Sequence, residues 1–387
     1  MRTLRIIFYA LTRPFDMRHG ITVLLAVMVA LWMGQTARAQ NVGSDYGTGA
    51  LTSQRQPLRI VVQPMYQYFE NDDQGITEWS VPIRATIPLR ENLQLSLRGS
   101  FASATGDELE TVSGLSDAQA SLSYVRQVGE GSVIVSAGVN APIGKQELTL
   151  DEFTTATLLS QNVFDFRVPG FGQGLGLATG ATWAVPVGED VVLGLGGSFR
   201  YQGGYTPLEG MASNYNPGNE VLVTGGLDYR LNRTSALSGD VSITLYGTDQ
   251  VGDVDQFEAG NKLSATVQYR RDQGYNTLRV LARYEGREKS TLPAVGSGSA
   301  QELQLLPSEG VLRGSFQTRL SDSVDLELWA GGRMFGETDV FEQKVLAVVG
   351  LMPQWEASDG LTLAPRFAYT GGDITGLEGG LVVYWQQ

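Results

Sequence analysis

The feature that most constrains the fold of this chain is a two-residue alternation of apolar and polar side chains, which recurs from residue 57 to the C-terminus. Residues 262–284, KLSATVQYRRDQGYNTLRVLARY, show it clearly. On each side of the central Asp-Gln-Gly, every second residue is apolar, and the two apolar rows end in Tyr269 and Tyr284. Arginines such as Arg270 and Arg283 occupy the other face. Because side chains alternate between the two faces of a β-strand, this period predicts strands whose faces meet different environments.

The alternating segments predict about 16 antiparallel strands. They lie at 57–69, 75–88, 92–103, 116–127, 132–142, 174–187, 190–203, 218–231, 236–247, 260–271, 275–286, 309–320, 323–335, 343–356, 360–370 and 378–386. The first two contain Pro64, Pro82 and Pro88. Proline favours edge or bulged strands, so the expected number ranges from about 14 to 16.

The connections between these segments alternate between tight and long. The tight ones are Arg90-Glu91, Gly129-Glu130-Gly131, Gly188-Glu189, Asn232-Arg233-Thr234, Asp272-Gln273-Gly274, Ser321-Asp322 and Ser358-Asp359-Gly360. The long ones are 69–75, 103–114, 143–173, 204–217, 248–259 and 287–308. A transmembrane β-barrel has short periplasmic turns and longer extracellular loops. The alternation therefore predicts an all-β fold, a transmembrane antiparallel up-and-down β-barrel.

The aromatic residues of the apolar face cluster near the ends of the predicted strands. Near the tight turns or the C-terminus lie Tyr124, Trp183, Tyr229, Tyr269, Trp355 and Trp385, and near the long loops lie Trp79, Phe101, Tyr201, Tyr284 and Tyr369. Trp and Tyr concentrate at the two interfaces of a bilayer, so these residues are predicted to form two membrane-interface girdles. Trp329 has the parity of the polar face, which predicts either an interior side chain or a bulge.

The N-terminus is predicted to be a secretory signal peptide. Basic residues including Arg13 and Arg18 precede the apolar run 21–34 and the sequence Ala-Arg-Ala, which predicts cleavage after Ala39. The apolar run is shorter than the roughly 20 residues of a transmembrane helix. The predicted organisation is a signal peptide at 1–39, a short periplasmic segment at 40–56 and a barrel at 57–387, with either Met1 or Met17 as the start.

Composition excludes several classes of function. Loss of residues 1–39 removes five arginines and one aspartate, which lowers the net charge from −13 to −17. A surface this acidic argues against nucleic acid as a partner. The chain has no cysteine, and its one histidine, His19, lies in the predicted signal. Catalytic triads and His- or Cys-ligated metal sites therefore lack a required residue, so neither an enzyme nor a metal or other cofactor is predicted.

The signal sequence, the turn and loop asymmetry and the last predicted strand, GLEGGLVVYW, resemble Gram-negative outer-membrane β-barrel channels and transporters. The final strand of that family ends in an aromatic residue that the assembly machinery reads, whereas here two glutamines follow Trp385. The resemblance implies an outer-membrane location, with membrane lipid, lipopolysaccharide and the barrel-assembly machinery as partners. It leaves the oligomeric state open.

The polar face of the predicted strands carries many charges. They include Arg84, Arg98, Asp117, Arg200, Arg230, Asp240, Arg279, Arg283, Arg313, Glu327, Arg333 and Arg366. A lipid-facing Arg or Lys at mid-depth costs roughly 2–4 kcal/mol, so this face is predicted to point into the barrel. It lines either a solvated lumen or an internal salt-bridge network.

The connection 143–173 is predicted to narrow the lumen. Phe153, Ala156 and Leu159 have helical spacing within it, which predicts a short helix. General porins fold the loop after their fifth strand into the lumen, and this connection has the same position. The alternative is a surface loop. If the loop folds inward, Glu147, Asp151 and Glu152 are expected to face a group of arginines across the constriction, namely Arg98, Arg200, Arg283 and Arg333.

Three functions remain open from the sequence. The first is an outer-membrane porin or transporter that passes small polar or anionic solutes through a charged lumen. The second is an uptake barrel for hydrophobic substrates such as fatty acids or aromatic compounds, which the glycine-rich stretch 171–205 resembles. Residues 40–56 are too few for the N-terminal plug of those barrels. The third is a structural or adhesive barrel with acidic loops.

Overall fold

A computed structural model describes residues 57–71, 74–293 and 300–387. The predicted signal peptide and the segment 40–56 lie outside these residues. The described strands are β1 (Arg59–Val62), β2 (Met65–Asn71), β3 (Gln74–Arg90), β4 (Leu93–Gly106), β5 (Leu109–Leu115), β6 (Ala118–Val128), β7 (Gly131–Ala141), β8 (Gly176–Val187), β9 (Val191–Gln202), β10 (Tyr215–Asn216), β11 (Glu220–Asn232), β12 (Ser235–Tyr246), β13 (Thr248–Val251), β14 (Val254–Glu258), β15 (Lys262–Gln273), β16 (Asn276–Arg287), β17 (Ser290–Leu292), β18 (Gln301–Leu303), β19 (Glu309–Ser321), β20 (Val324–Phe335), β21 (Lys344–Ser358), β22 (Leu361–Gly372) and β23 (Thr375–Gln386).

The strands form a closed antiparallel barrel. β10, β13, β14, β17 and β18 make a separate small sheet, and the other strands pair in sequence order around the wall. β1 and β2 are two parts of one barrel strand, as are β5 and β6, so the wall has 16 strands. β23 pairs with both β1 and β2, which closes the wall. The predicted fold and strand number are confirmed.

The two faces of the wall differ as the alternation predicts. In register across β11, β12, β15 and β16, the outward row Tyr229, Leu237, Tyr269 and Val280 is apolar or aromatic. Outward side chains such as Leu195 are largely accessible, 60% in that case. Soluble proteins rarely expose a contiguous apolar patch of more than a few hundred Å². An apolar band around the whole exterior is the surface that a bilayer covers, and the interior carries the charged face.

The two ends of the barrel also differ. At the end with tight turns, Gly129, Gly188, Gly274 and Gly360 adopt positive φ, which glycine reaches without steric cost. We call this the turn side and the opposite end the loop side. Two connections predicted to be long, 69–75 and 103–114, are instead tight hairpins, because β2, β3, β4 and β5 continue pairing beyond the outer apolar band. In these extensions the side chains no longer alternate between apolar and polar. The sequence pattern therefore predicts strands that end several residues too early.

Four of the remaining loop-side connections contain strands or a helix of their own. β13 and β14 form a hairpin, joined by β10 on one side and by β17 and β18 on the other. We call these five strands the loop sheet. The connection between β7 and β8 contains the predicted helix, α1 (Leu150–Leu159). The Thr149 side chain accepts from the Glu152 N–H and the Glu152 carboxylate accepts from the Thr149 N–H, a capping box that fixes where α1 begins.

Among the described residues, no helix has both the length and the hydropathy that a membrane-spanning helix requires.

Candidate functional site in the loop-side interior

The connection between β7 and β8, residues 142–175, is held at both ends by one carboxylate, and we call it the crossing loop. Asp117, between β5 and β6, accepts hydrogen bonds from the Gly144 N–H at 3.0 Å and the Gln173 N–H at 2.7 Å. The Asn140 amide donates to the same carboxylate at 2.8 Å. Asp117 therefore joins the beginning and the end of the crossing loop to the barrel wall.

The far part of the crossing loop reaches the opposite wall. Gln67 on β2 accepts from the Arg167 N–H at 2.8 Å, and the Arg167 guanidinium donates to Glu378 on β23 at 3.4 Å. On β20, Arg333 donates to the Asn162 carbonyl at 2.7 Å. Since β20 lies across the barrel from β7, the loop traverses the interior rather than covering the outside. The inward folding predicted from its position is thus seen in the structure.

An apolar cluster joins the crossing loop to the barrel wall. Phe166 is 0% exposed and packs edge-on against Phe69 of β2, with ring centroids 5.1 Å apart. Phe335 and Leu346 from the far wall belong to the same cluster, as does Leu159 of α1. This packing fills the loop-side interior along β2 to β5 and β20 to β21, so the crossing loop is anchored by apolar burial as well as by hydrogen bonds.

Paired charges occupy the loop-side interior next to the loop sheet. Lys262 is 4% exposed and lies 4.0 Å from Glu285, which also accepts from Arg287 at 3.1 Å. Glu220, at the start of β11, accepts from Gln202 at 3.0 Å. Burial of a charge is costly unless it is paired, and Lys262, Glu285 and Arg287 each lie within 4.0 Å of an opposite charge. This region matches the salt-bridge network that the sequence left as one interpretation of the polar face.

The loop sheet contains a buried acid. Asp249 on β13 accepts from the Tyr215 hydroxyl at 2.7 Å and from the Gly218 N–H at 2.6 Å. Burial raises the pKa of Asp249 to about 6, and Glu220 adds to the rise, while the two hydrogen bonds oppose it. Burial and the neighbouring Asp249 also raise the pKa of Tyr205 and of Tyr215. The loop sheet is therefore held partly by a carboxyl that titrates near neutrality.

The four arginines predicted at the constriction all face inward, and three of them, Arg200, Arg283 and Arg333, pair with acids of the wall. Arg283 and Arg333 converge on Glu309, at 3.3 and 2.8 Å. Arg200 lies 4.0 Å from Glu220. Arg98 faces inward opposite Arg84 in the register of β3 and β4.

The three acids predicted to face those arginines have other surroundings. Glu152 caps α1 and pairs with Lys145, and Glu147 and Asp151 are exposed. Burial acts to raise the pKa of Glu152, but Lys145 and the Thr149 N–H outweigh it, so the pKa lies below its ordinary value. The geometry thus corrects the expected opposition of loop acids to arginines, because α1 uses its first acids for its own N-terminus.

The other predicted lumen charges fall into three groups. Arg84, Asp240 and Arg313 are inward and exposed, and Arg279 and Glu327 are inward and half-buried, so water reaches the interior below the crossing loop. Arg230 lies at the turn side, where it pairs with Asp190 at 2.9 Å. Asp117 and Arg366 lie in the packed part of the interior instead. Asp117 holds the two ends of the crossing loop. The Arg366 guanidinium stacks on the ring of Trp329.

The predicted girdle residues lie on the outer face. Those with at least about a third of their surface exposed are Trp79, Tyr124, Trp183, Tyr201, Tyr229, Tyr284, Trp355, Tyr369 and Trp385. Tyr269 is more covered, with its hydroxyl 3.4 Å from Ser235. Trp79 packs edge-on against Phe101 of the next strand, at 6.2 Å between centroids. Their role as interface anchors remains a prediction.

Trp329 faces the interior, the first of the two outcomes that its parity predicts. It is 5% exposed and packs against Met352, Ala364 and Val382. The guanidinium of Arg366 lies 4.1 Å from its ring centroid and that of Arg313 lies 5.5 Å away. A side chain at Gly350 would collide with the indole ring, so glycine is what allows the ring to lie flat on the wall.

Several residues that shape this site were not predicted. Gln67, Glu78, Arg167 and Glu378 fasten the far part of the crossing loop, and Glu78 is 0% exposed. Gln67, Glu78 and Glu378 have the inward parity along their strands, and this parity is the sequence signal that could have identified them. Their partners lie about 90 to 211 residues away along the chain, and strand periodicity carries no information about such pairings.

Among the described residues, no group of three or more His, Cys, Asp or Glu side chains is placed to hold a metal ion.

The chain matches no protein-family model, and no curated protein is similar to it in sequence. Solved structures with a similar fold include the anion-selective porin from Comamonas acidovorans, at 13% identity and a TM-score of 0.41, with 85% of this chain and 98% of that chain covered. OprD from Pseudomonas aeruginosa is 10% identical, with a TM-score of 0.41 and coverage of 86% and 95%. A loop L8 deletion mutant of OmpT, an outer membrane protein of Vibrio cholerae, has 10% identity, a TM-score of 0.41 and coverage of 86% and 100%. At such values the similarity concerns the barrel fold alone.

Proposed function

We propose that this protein is an outer-membrane channel that passes small polar or anionic solutes through its charged lumen, past the narrowing at the crossing loop. The observation that carries the proposal is the contrast within the interior. Inward charges below the crossing loop, such as Arg84 and Arg313, are exposed, whereas Glu78 and Lys262 at loop-side height are almost fully buried. A barrel with a wet lumen and one packed end is suited to restrict solutes by size and charge.

The proposal places membrane lipid against the apolar exterior and lipopolysaccharide around the loop side, and it includes the barrel-assembly machinery as a folding partner. The solute is the substrate, and no catalytic reaction or cofactor is assigned. Export by the predicted signal peptide, with cleavage after Ala39, is part of the same proposal.

The experiment is ion selectivity in planar bilayers. The paired variant Arg84→Ser/Arg313→Ser removes two exposed positive charges from the lumen, so the reversal potential in a KCl gradient is expected to shift towards cation selectivity. Arg233→Ser, in the tight turn between β11 and β12, removes a charge outside the lumen and serves as the matched control. Unchanged reversal potentials in the paired variant would contradict selection by these arginines.

Liposome swelling and fatty-acid uptake distinguish this proposal from the other two functions. Swelling with small sugars supports passage of polar solutes. Uptake of a fatty acid without swelling would replace the proposal with the hydrophobic-uptake function. Absence of conductance, swelling and uptake would favour the structural barrel.

A further inference from the structure

The basic residues of the outer face all lie near the turn side. Among the described strands of the wall, the only arginines or lysines with the outward parity are Arg90, Arg126 and Arg271. Arg126 is in register with Val133, and Arg271 with Leu278, both on the apolar outer face. Positive charge on the outer wall is therefore confined to one of the two membrane interfaces.

Two of these arginines belong to a repeated arrangement at the turn-side end of a strand. The sequence is Tyr124-Val-Arg126 in β6 and Tyr269-Arg-Arg271 in β15. In each, the tyrosine and the arginine have the outward parity, and the arginine is two positions, or roughly 7 Å, nearer the turn side. The tyrosines are predicted to lie at the membrane interface, which places both arginines at the depth of the lipid headgroups.

These two arginines have no protein partner for their charge. Arg126 and Arg271 are exposed, and no acid among the described residues lies within 4.0 Å of either guanidinium group. The inward neighbour Arg270 differs, because it pairs with Asp272 at 2.9 Å. Asp272 also accepts from the Thr277 hydroxyl at 2.8 Å, so this acid is already occupied on the inner face. The outward arginines are therefore free to bind an anion that comes from the membrane.

The membrane offers such an anion in the phosphodiester of a phospholipid. A guanidinium group binds phosphate oxygens in bidentate geometry. A zwitterionic headgroup presents its phosphate beside a positive amine, whereas an anionic headgroup keeps the full negative charge. Each arginine near a membrane surface favours anionic lipid by about fivefold, so exposed arginines at headgroup depth distinguish the two kinds of lipid.

We propose that Arg126 and Arg271 bind the headgroups of anionic phospholipids in the leaflet at the turn side. The arginine holds the phosphate, and the tyrosine two positions before it contacts the lipid between headgroup and acyl chain. Anionic lipids are thereby enriched at two places on the circumference of the barrel. The inference goes beyond the proposed function, because it concerns the outer face and needs no solute in the lumen.

The absence of cysteine from the chain allows a specific fluorescent label at each site. Val280→Cys places the label opposite Tyr269, and Val135→Cys places it opposite Tyr124. The labelled protein is reconstituted in phosphatidylcholine vesicles that contain a small fraction of nitroxide-labelled phosphatidylglycerol or nitroxide-labelled phosphatidylcholine. Stronger quenching by the phosphatidylglycerol reports enrichment of the anionic lipid beside the label.

The two sites are expected to differ in strength. The turns on either side of Arg271, 232–234 and 273–276, contain no acid, so a preference of about fivefold is expected at Val280→Cys. The turns near Arg126 contain Glu91 and Glu130, which repel an anionic headgroup, so a smaller preference is expected there. Because both sites are exposed, high salt is expected to reduce both preferences.

Variants at the arginines test each site against the other. Arg271→Gln is expected to abolish the preference at Val280→Cys and to leave that at Val135→Cys unchanged. Arg126→Gln is expected to do the opposite. Arg270→Gln is the matched control, since it removes one positive charge from the adjacent position on the inner face. It is expected to change the preference at neither label.

Equal quenching by the two lipids at both labels of the unmodified protein would overturn the proposal. An equal loss of preference in Arg270→Gln and Arg271→Gln would also overturn it, because the net charge of the barrel would then explain the effect. Conductance in KCl tests the proposed function separately. A barrel that enriches anionic lipid but does not conduct would keep these sites and lose the proposed function, and a conducting barrel without lipid preference would do the reverse.

Discussion

At the scale of single residues, Asp117 is the side chain that attaches both ends of the crossing loop to the barrel wall. Its carboxylate accepts from two backbone N–H groups at opposite ends of the crossing loop and from Asn140. Replacement by alanine leaves these donors without their acceptor, and each unsatisfied buried donor costs about 1–3 kcal/mol. Asp117→Ala is expected to raise the hydrogen-exchange rates of Gly144 and Gln173 by about ten- to a hundredfold.

Asp107→Ala is the matched control, since Asp107 accepts from one N–H, that of Gly75, at 3.1 Å in a neighbouring hairpin. It is expected to leave the exchange of Gly144 and Gln173 as it is in the unmodified protein. If the backbone N–H groups of Gly144 and Gln173 still exchange slowly in Asp117→Ala, other contacts hold the crossing loop.

At the scale of elements, the loop sheet is predicted to respond to pH through Asp249. Its pKa in the folded protein, about 6, is above the ordinary value of 3.8. The folded sheet therefore binds a proton more readily than the unfolded segment, and its stability falls as the pH rises from about 4 to 6 and stays low above that. Two pKa units correspond to at most about 3 kcal/mol.

Hydrogen exchange of the Gly218 amide, corrected for the intrinsic pH dependence, measures this effect. Protection is expected to increase when the pH is lowered from 7 to 5. In Asp249→Asn the amide oxygen can still accept from the Gly218 N–H, and the amide nitrogen can donate to the Tyr215 hydroxyl. The amide does not titrate, so protection is expected to be independent of pH over that range. If Asp249→Asn keeps the pH dependence of the unmodified protein, another titratable group, such as Glu220, is responsible for that dependence.

The elements also show which parts of the structure were predictable. The strands were predicted because the two-residue period is local and a bilayer imposes it along the whole wall. The inward parity of Arg333 and of Trp329 followed from the same period. The partners of Arg333, Glu309 and Asn162, could not be predicted, because Asn162 is 171 residues away and its position depends on how the crossing loop folds. For the same reason the sequence misassigned the partners of Glu152.

At the scale of the whole molecule, the barrel depends on the contact between its first and last strands. Val383, Tyr384, Trp385 and Gln386 pair with β1, and Leu58 and Gln387 exchange two further backbone hydrogen bonds. Deletion of residues 381–387 removes this pairing and leaves the edge of β1 open, and open sheet edges are not tolerated in lipid. The truncated chain is expected to lose resistance to urea, measured by circular dichroism in detergent.

Deletion of Gln387 alone removes only the two terminal hydrogen bonds and is the graded control. It is expected to lower the urea midpoint slightly, by the equivalent of about 1–3 kcal/mol. A stable, folded 381–387 deletion would mean that β2 and β23 alone close the wall.

The packed loop side and the accessible turn side make the barrel asymmetric along the membrane normal. In a conducting barrel of this form, most of the electrical resistance lies at one end, and the fixed charges of Arg283, Arg333 and Glu309 are close to it. Ions driven in one direction accumulate next to the packed loop-side end, and ions driven in the other direction are depleted there. The current is therefore expected to rectify, and molecules inserted in opposite orientations are expected to give mirror-image current–voltage curves.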